Sequence, residues 1–261
     1  PKLVYGYVSG YGEKGPDKDL PGFDFTAFYA RGGILGPLRD KNSLPMLTVQ
    51  GFGDHQVAMN LAAGVLAALF KAKMTGEGDH VVVSLFHSAI WDISLMLQAS
   101  QYGADSTQYP MERWKLGNPL VLCYETADGQ WLQIAMPQYD RHYPILMNAM
   151  GYPELADDAR YYPQKNLIPN REEFSAWITA EFKKKTCDEW CKLLDANDLP
   201  YAIAQEWDSL LEDKQAWASD CFYEMSYSNG NKRTLVRPPV LFDQMGLPPY
   251  ERGPYLGEQT K

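Results

Sequence analysis

Cysteine is scarce: Cys123, Cys187, Cys191 and Cys221 are the four in 261 residues, too few and too scattered for a disulfide framework in a chain of this size. Reduced thiols and a cytoplasmic location are therefore expected. Cys187 and Cys191 stand four apart like half of a metal site, but no second Cys/His pair has matching spacing, so helix packing is their expected duty and no metal is expected. Histidine is equally sparse. His55, His80, His87 and His142 fit neither a zinc spacing nor a Ser-His-Asp pattern, and each is read as structural. Basic runs are limited to KKK at Lys183 to Lys185 against a formal net charge of -9, which argues against a nucleic-acid partner while leaving a local phosphate pocket open. The longest apolar run, Leu61 to Phe70, is short for a bilayer, and no basic segment followed by an apolar one opens the chain, so no membrane partner and no export are expected. No G-x-G-x-x-G opens a helix directly after a strand, since GYGEKG runs on into the glycine and proline loop, and no P-loop occurs.

What is present suits a large folded domain or two modest ones: 45% hydrophobic residues, with 7 Trp, 17 Tyr and 10 Phe. The chain opens on KLVYGYVSGYG, a strand running into a glycine and proline loop. FDFTAFYARGG, residues 23–33, has helical periodicity and stops at a glycine pair. Asp40 sits in DKNSLPM, an exposed turn. Beyond Gly53, Val57, Leu61, Val65, Leu66 and Leu69 recur at helical spacing while Ala62, Ala63, Gly64, Ala67 and Ala68 keep the helix thin, so something must pack close to it. TGEG ends that helix, HVVVSLF predicts a buried strand, and HSAIWDISLMLQASQYG a second helix. Helix, strand, helix implies layered α/β packing. From Leu120 the character changes: VLCYET, ADG and QWLQIAM predict a hairpin around Asp128 and Gly129. RHYPILMNAMG, NREEFSAWITAEFKKK and CDEWCKLLDAND follow as amphipathic helices. DLPYAIAQ and RTLVRPPVLFD are expected to be extended, and the tail GLPPYERGPYLGEQT a loop. The expected organisation is α/β: a large-domain portion over residues 1–116, a small α+β domain over 117–200, and an extended return to the large domain over 201–261.

The stretch GFGDHQ places one acid between a glycine turn and a long helix. Asp54 can cap that helix, a duty worth on the order of 1 kcal/mol. The positive helix end also favours its anion, and a carboxylate anion can attack an activated acyl carbon. Gly51 and Gly53 remove bulk beside it, which would admit a substrate and offer backbone N–H groups to a developing oxyanion. Local chemistry alone leaves capping and catalysis both open.

SGYGEKGPDKDLPGFDFTAFYARGG, then GFGDHQVAMNLAAGVLAAL, then KMTGEGDHVVVSLFHSA resemble, in order and spacing, the class III CoA-transferases, the family of formyl-CoA and carnitine CoA-transferases. KKKTCDEWCKLLDANDLPYAIAQEWDSLLEDKQAWA and PPVLFDQMGLPPY extend the resemblance over essentially the whole chain. GYGEKGPDKDLPGFDFTAF, DKQAWA and YAIAQEW are most similar to the 2-hydroxyacyl and aryl-lactate CoA-transferases of amino-acid-fermenting anaerobes. The resemblance implies a Rossmann-like large domain whose N-terminal part is missing here, a smaller α+β domain, and an interlocked homodimer. It implies that Asp54 is the nucleophile, passing through a mixed anhydride and an aspartyl-CoA thioester. It also implies that Gly22, Phe23, Asp24 and Phe25 contact CoA, which is a substrate here and not a permanently bound cofactor. Some members close the site with a run of glycines; the nearest counterpart is Gly117, Asn118 and Pro119. The alternatives are a 2-methylacyl-CoA racemase of the same fold, for which His55 is the one local histidine, and a non-catalytic CoA-binding or dimerising fragment.

Overall fold

The computed structural model describes residues 1–103, 109–110, 112–246 and 251–260. The chain forms two compact units, Pro1–Leu120 with Pro137–Ile178, and Val121–Met136 with Thr179–Lys261.

In the first unit β1 (Val4–Ser9) and β2 (Asp79–Ser84) pair in parallel, Val4 opposite Asp79 and Ser9 opposite Ser84. A parallel pair needs a crossover, and α1 (Phe52–Thr75) supplies it. Glycines let helix and sheet approach closely: a Cβ on Gly6 would stand 3.2 Å from both Leu61 and Val65, and one on Gly64 2.6 Å from Val81. The element that packs against the thin helix is thus the sheet. α1 ends as TGEG predicts, with Gly76 at φ 82° and its N–H on the Ala72 carbonyl at 2.9 Å. There Lys71 Nζ meets Asp79 Oδ2 at 2.9 Å, beside the start of β2. α1 therefore runs back along the strands, and its first turn lies at their carboxyl ends.

The strand expected through HVVVSLF stops at Ser84, because the Ser84 hydroxyl accepts the His87 N–H at 3.2 Å and caps α2 (Leu85–Asp92). Leu85 and Phe86 are helical instead. The single helix expected from HSAIWDISLMLQASQYG is interrupted at Ile93, φ -98° and ψ 11°, before α3 (Ser94–Ala99). The segment FDFTAFYARGG is helical but wide-wound, a π-helix over Asp24–Ala30 with the Arg31 N–H on the Thr26 carbonyl at 2.9 Å. Its Ala27, Phe28 and Tyr29 form the core with Ile34, Val57, Leu85 and Ala89. α4 (Tyr139–Met150), α5 (Gln164–Leu167) and α6 (Arg171–Phe182) follow, α6 crossing in sequence into the second unit. Tyr139 and Tyr143 stack at 4.9 Å and donate their hydroxyls to the Tyr161 and Leu155 carbonyls. Burial pushes both phenols well above their ordinary value.

α1 is longer than the apolar run Leu61 to Phe70 indicates. Its 24 residues, with a mean hydropathy of 1.4 over the most apolar window, are long and apolar enough to cross a membrane by length and composition, and 17% of that window is buried. The Leu61 to Phe70 run understated this because the helix continues past it on both sides. Phe52, Met59, Leu66, Leu69, Phe70 and Met74 are all exposed on it.

In the second unit β3 (Cys123–Glu125), β4 (Trp131–Ile134) and β5 (Tyr201–Ile203) form an antiparallel sheet in that order. The β3–β4 hairpin turns at Asp128 and Gly129, φ 77°, as ADG predicts. α7 (Cys187–Ala196) starts with a capping box in which the Thr186 hydroxyl accepts the Glu189 N–H at 3.3 Å and Glu189 Oε2 accepts the Thr186 N–H at 2.8 Å. Trp190 donates its Nε1–H to the Phe182 carbonyl at 2.8 Å. α8 (Trp207–Leu211) and α9 (Lys214–Ala218) lead to an antiparallel pair, β6 (Phe222–Ser226) with β7 (Lys232–Val236). RTLVRPP is extended as expected; its partner FYEMS gave no strand signal. Of the tail expected to be a loop, residues 247–250 lie outside the described residues and 251–260 hold neither helix nor strand.

Cys187 is buried on α7 and Cys191 half-buried. Burial, reinforced by Cys191, pushes the Cys187 thiol from its ordinary 9.0 up to about 11. A folded-state value above the unfolded one adds stability that is present below pH 9 and is lost as pH rises toward 11. The urea midpoint is expected to fall across that window. A Cys187→Ala variant, although less stable throughout, is expected to show a smaller fall, and an equal fall in both proteins contradicts the assignment.

Candidate active site

Asp54 is the third residue of α1, at the carboxyl ends of the parallel strands, where ligands of α/β sheets bind. Its side chain is exposed, and among the described residues no hydrogen bond or ion pair engages its carboxylate. Asp54 does not cap the helix. That duty belongs to Asp24, whose Oδ2 accepts the Gly51 N–H at 2.7 Å and whose Oδ1 accepts the Gly53 N–H at 3.0 Å. Asp24 is 6% exposed, and a buried carboxylate of this kind is stable only when such donors surround it.

The π-helix start positions Asp24: Phe23 has extended backbone, φ -123°, and donates its N–H to Thr26 Oγ1 at 3.0 Å. Tyr29, further along, donates its hydroxyl to the Val49 carbonyl at 3.2 Å, which also accepts the Phe52 N–H at 3.4 Å. The loop entering α1 is thus held at both ends. Gly22 meets Gly10, just beyond β1, so closely that a Cβ on Gly10 would lie 2.6 Å from the Gly22 Cα. One neighbourhood therefore gathers Gly22 to Phe25, Gly51, Gly53 and Asp54, with the rings of Phe23 and Phe25 exposed.

Two glycines have different reasons from those the sequence suggested. Gly51 faces open space but has φ 83°, a left-handed turn that glycine adopts without steric cost. Gly53 is buried, and a Cβ there would collide with the Phe28 ring and Asp24 Oδ1. Their N–H groups, expected to face an oxyanion, donate to Asp24.

Gln56 Nε2 donates to Asp92 Oδ1 at 3.1 Å and Asn60 Nδ2 to Ser88 Oγ at 2.9 Å, tying α1 to α2. Partial burial pushes the Asp92 carboxyl up, against the opposing pull of the Gln56 hydrogen bond. His55 and His87 are exposed. His87 lies where two cavities meet, of about 240 and 500 Å³, the first lined by Asn60, Ser88 and Trp91 and the second by Tyr11, Lys14 and Phe86. Asp54 lines neither. Gly117 and Asn118 are tied down, the Gly117 carbonyl accepting from Gln164 Nε2 at 3.0 Å and Asn118 Oδ1 accepting the Leu120 N–H at 2.9 Å. Among the described residues no cluster of His, Cys, Asp or Glu could hold a metal ion.

A bare carboxylate at a helix start in a βαβ unit is shared by many proteins, but the whole sequence is distinctive. The model of CoA-transferase family III matches residues 1–260. The chain belongs to that family. It is 49% identical over 261 residues to a cinnamoyl-CoA:phenyllactate CoA-transferase of Clostridium sporogenes, covering all of this chain and 63% of that protein. It is 39% identical over 260 residues to an (R)-2-hydroxy-4-methylpentanoate CoA-transferase of Clostridioides difficile, covering 64% of it. The chain thus spans a little under two thirds of the length of these two family III relatives. The crystal structure of the Rv3272 protein of M. tuberculosis shares the mixed α/β fold, with a TM-score of 0.82 at 24% identity over 98% of this chain and 67% of that one. Within this family III chain, sequence reasoning marked Asp54 and Asp24 but missed the bonds from the Gly51 and Gly53 N–H groups to Asp24: donor and acceptor lie 27 and 29 residues apart, and no local motif signals such a long-range cap.

Proposed function

We propose that the protein moves CoA from an acyl-CoA to a carboxylic acid, a 2-hydroxy acid or its acyl partner, with Asp54 as covalent nucleophile. An Asp54 oxygen bonds to the thioester carbonyl carbon, the C–S bond breaks, and CoA leaves as thiolate from a mixed anhydride. The thiolate attacks the Asp54 carbonyl carbon, and the donor acid departs as carboxylate, leaving an aspartyl-CoA thioester. The acceptor carboxylate then attacks that thioester, forming a second anhydride and freeing thiolate. Attack of the thiolate on the acceptor's carbonyl makes the new acyl-CoA and restores Asp54. No net proton or electron moves, and acyl activation is conserved throughout as long as water is kept out.

The observation that carries this reading is the unpartnered Asp54 carboxylate in a family III chain. The exposed rings of Phe23 and Phe25, with Gly22 and the Asp24 backbone, are the proposed CoA contacts; the Asp24 carboxylate is spent on α1. The names of the two relatives support aryl-lactate or branched 2-hydroxy acids as substrates, and hence a place in amino-acid fermentation. Exposure of Asp54 and of the apolar residues of α1 supports cover by further protein, and a homodimer is the proposed form. With no disulfide among the described residues, a cytoplasmic setting fits.

The test supplies cinnamoyl-CoA with phenyllactate or with 2-hydroxy-4-methylpentanoate and follows both CoA esters by chromatography. CoA is expected on the hydroxy acid only when donor and acceptor are present together. Hydrolysis alone, or solvent deuterium entering the α-carbon of a saturated acyl-CoA without any acceptor, contradicts the proposal.

A further inference from the structure

We infer that Asp24 is a positioning residue whose task is to keep Asp54 bare, by occupying the helix amides that Asp54 would otherwise cap. The inference rests on the reading of Asp54 as nucleophile, and it deepens that reading by naming what makes the nucleophile available.

An acid at the third position of a helix ordinarily folds back onto the N–H of the N-cap residue, the return half of a capping box. In α1 the N-cap is Gly51 and the third position is Asp54. The Gly51 N–H, the donor that geometry assigns to Asp54, is taken by Asp24 Oδ2 at 2.7 Å, and the Gly53 N–H by Asp24 Oδ1 at 3.0 Å. Asp24 comes from a separate element, is buried, and stands on backbone fixed by the Phe23 to Thr26 hydrogen bond, so it holds both amides without leaving its place. Gly53 completes the arrangement, because only a residue without Cβ leaves space for Asp24 Oδ1 and the Phe28 ring. The helix start is thereby satisfied from below, and the Asp54 carboxylate projects with no partner among the described residues. Its backbone N–H is left open beside it, since among the described residues no carbonyl or side chain accepts it. A carboxylate folded into a cap would have to break its hydrogen bonds before attacking a thioester; one held off the amides reacts without that step.

Asparagine at position 24 offers one carbonyl oxygen for two N–H groups and turns an NH2 toward the second. One amide is freed, and Asp54 can take it. Three measurements test the inference. In the wild-type protein, hydrogen exchange is expected to be slow at the Gly51 and Gly53 amides and fast at the Asp54 amide. Coupling of exposed carboxylates to glycine ethyl ester by a carbodiimide, mapped by peptide mass, is expected to label Asp54 and spare Asp24. In Asp24→Asn the Asp54 labelling rate is expected to fall about fivefold, the scale of one capping interaction. In the transfer assay the same variant should lose kcat with little change in KM for the acyl-CoA, a division that general loosening of the fold would not give. Labelling of Asp54 that is unchanged in a folded Asp24→Asn overturns the inference. So does a Gly53 amide that exchanges as fast as that of Asp54 in the wild type, a result that decides the matter even if the variant does not fold. Exchange and labelling need no turnover, so failure of the transfer chemistry and failure of this inference read out separately.

Discussion

Asp54→Ala is expected to lower CoA transfer by at least about a thousandfold, the scale seen when a covalent nucleophile is removed, while leaving the unfolding free energy from urea titration within about 0.5 kcal/mol of the wild type. The two halves of this expectation come from the same observation. The carboxylate makes no hydrogen bond or ion pair among the described residues, so the folded state loses nothing when it is removed. An acid that served as the helix cap would behave oppositely, costing about 1 kcal/mol or more with activity lost only through unfolding. Transfer activity and urea unfolding, measured on one preparation, separate these cases. Asp54→Asn should match Asp54→Ala in activity, since an amide lacks the nucleophilic anion.

Gly53→Ala is expected to destabilise the first unit by about 2–3 kcal/mol, at the upper end of overpacking costs. The added Cβ collides with the Phe28 ring and the Asp24 carboxylate, both buried and both held by other contacts, so neither has a free direction in which to retreat. Phe28 lies in the core with Val57, Leu85 and Ala89. Relief therefore comes from moving the start of α1, which also pulls Gly53 N–H off Asp24 and displaces Asp54. A fall in both the urea midpoint and kcat is expected. Gly51→Ala is the control: its Cβ meets nothing within 4 Å and only the positive φ is penalised, so its cost should be the smaller, about 1 kcal/mol.

Much of the architecture was legible because it rests on local signals. Glycine and proline punctuation bounded β1 and the end of α1, the Ala and Gly stripe announced a helix in close contact, and Asp128 with Gly129 marked the β3–β4 turn. What stayed hidden depends on distant partners. The break at Ile93 carries no glycine or proline, the π winding of Asp24–Ala30 looks like ordinary helical periodicity, and β6 is a strand only because β7 pairs with it.

The site divides in the same way. Asp54 was marked by its place between a glycine turn and a helix, but the choice between cap and chemistry was open because the competing acid enters from 27 residues before Gly51. Gly53 looked like a clearance for substrate and is instead a clearance for Asp24 and Phe28. Local sequence gives the residue types that chemistry needs; the assignment of which acid caps and which stays bare is a tertiary fact.

The most direct test of the central claim is to incubate the protein with acyl-CoA, reduce with borohydride, and map the product by peptide mass. Borohydride reduces a thioester to an alcohol and leaves a free carboxylate untouched. The account predicts homoserine at position 54, dependent on acyl-CoA and absent without it. Reduction at another acid, or transfer that proceeds with Asp54 never modified, would contradict it.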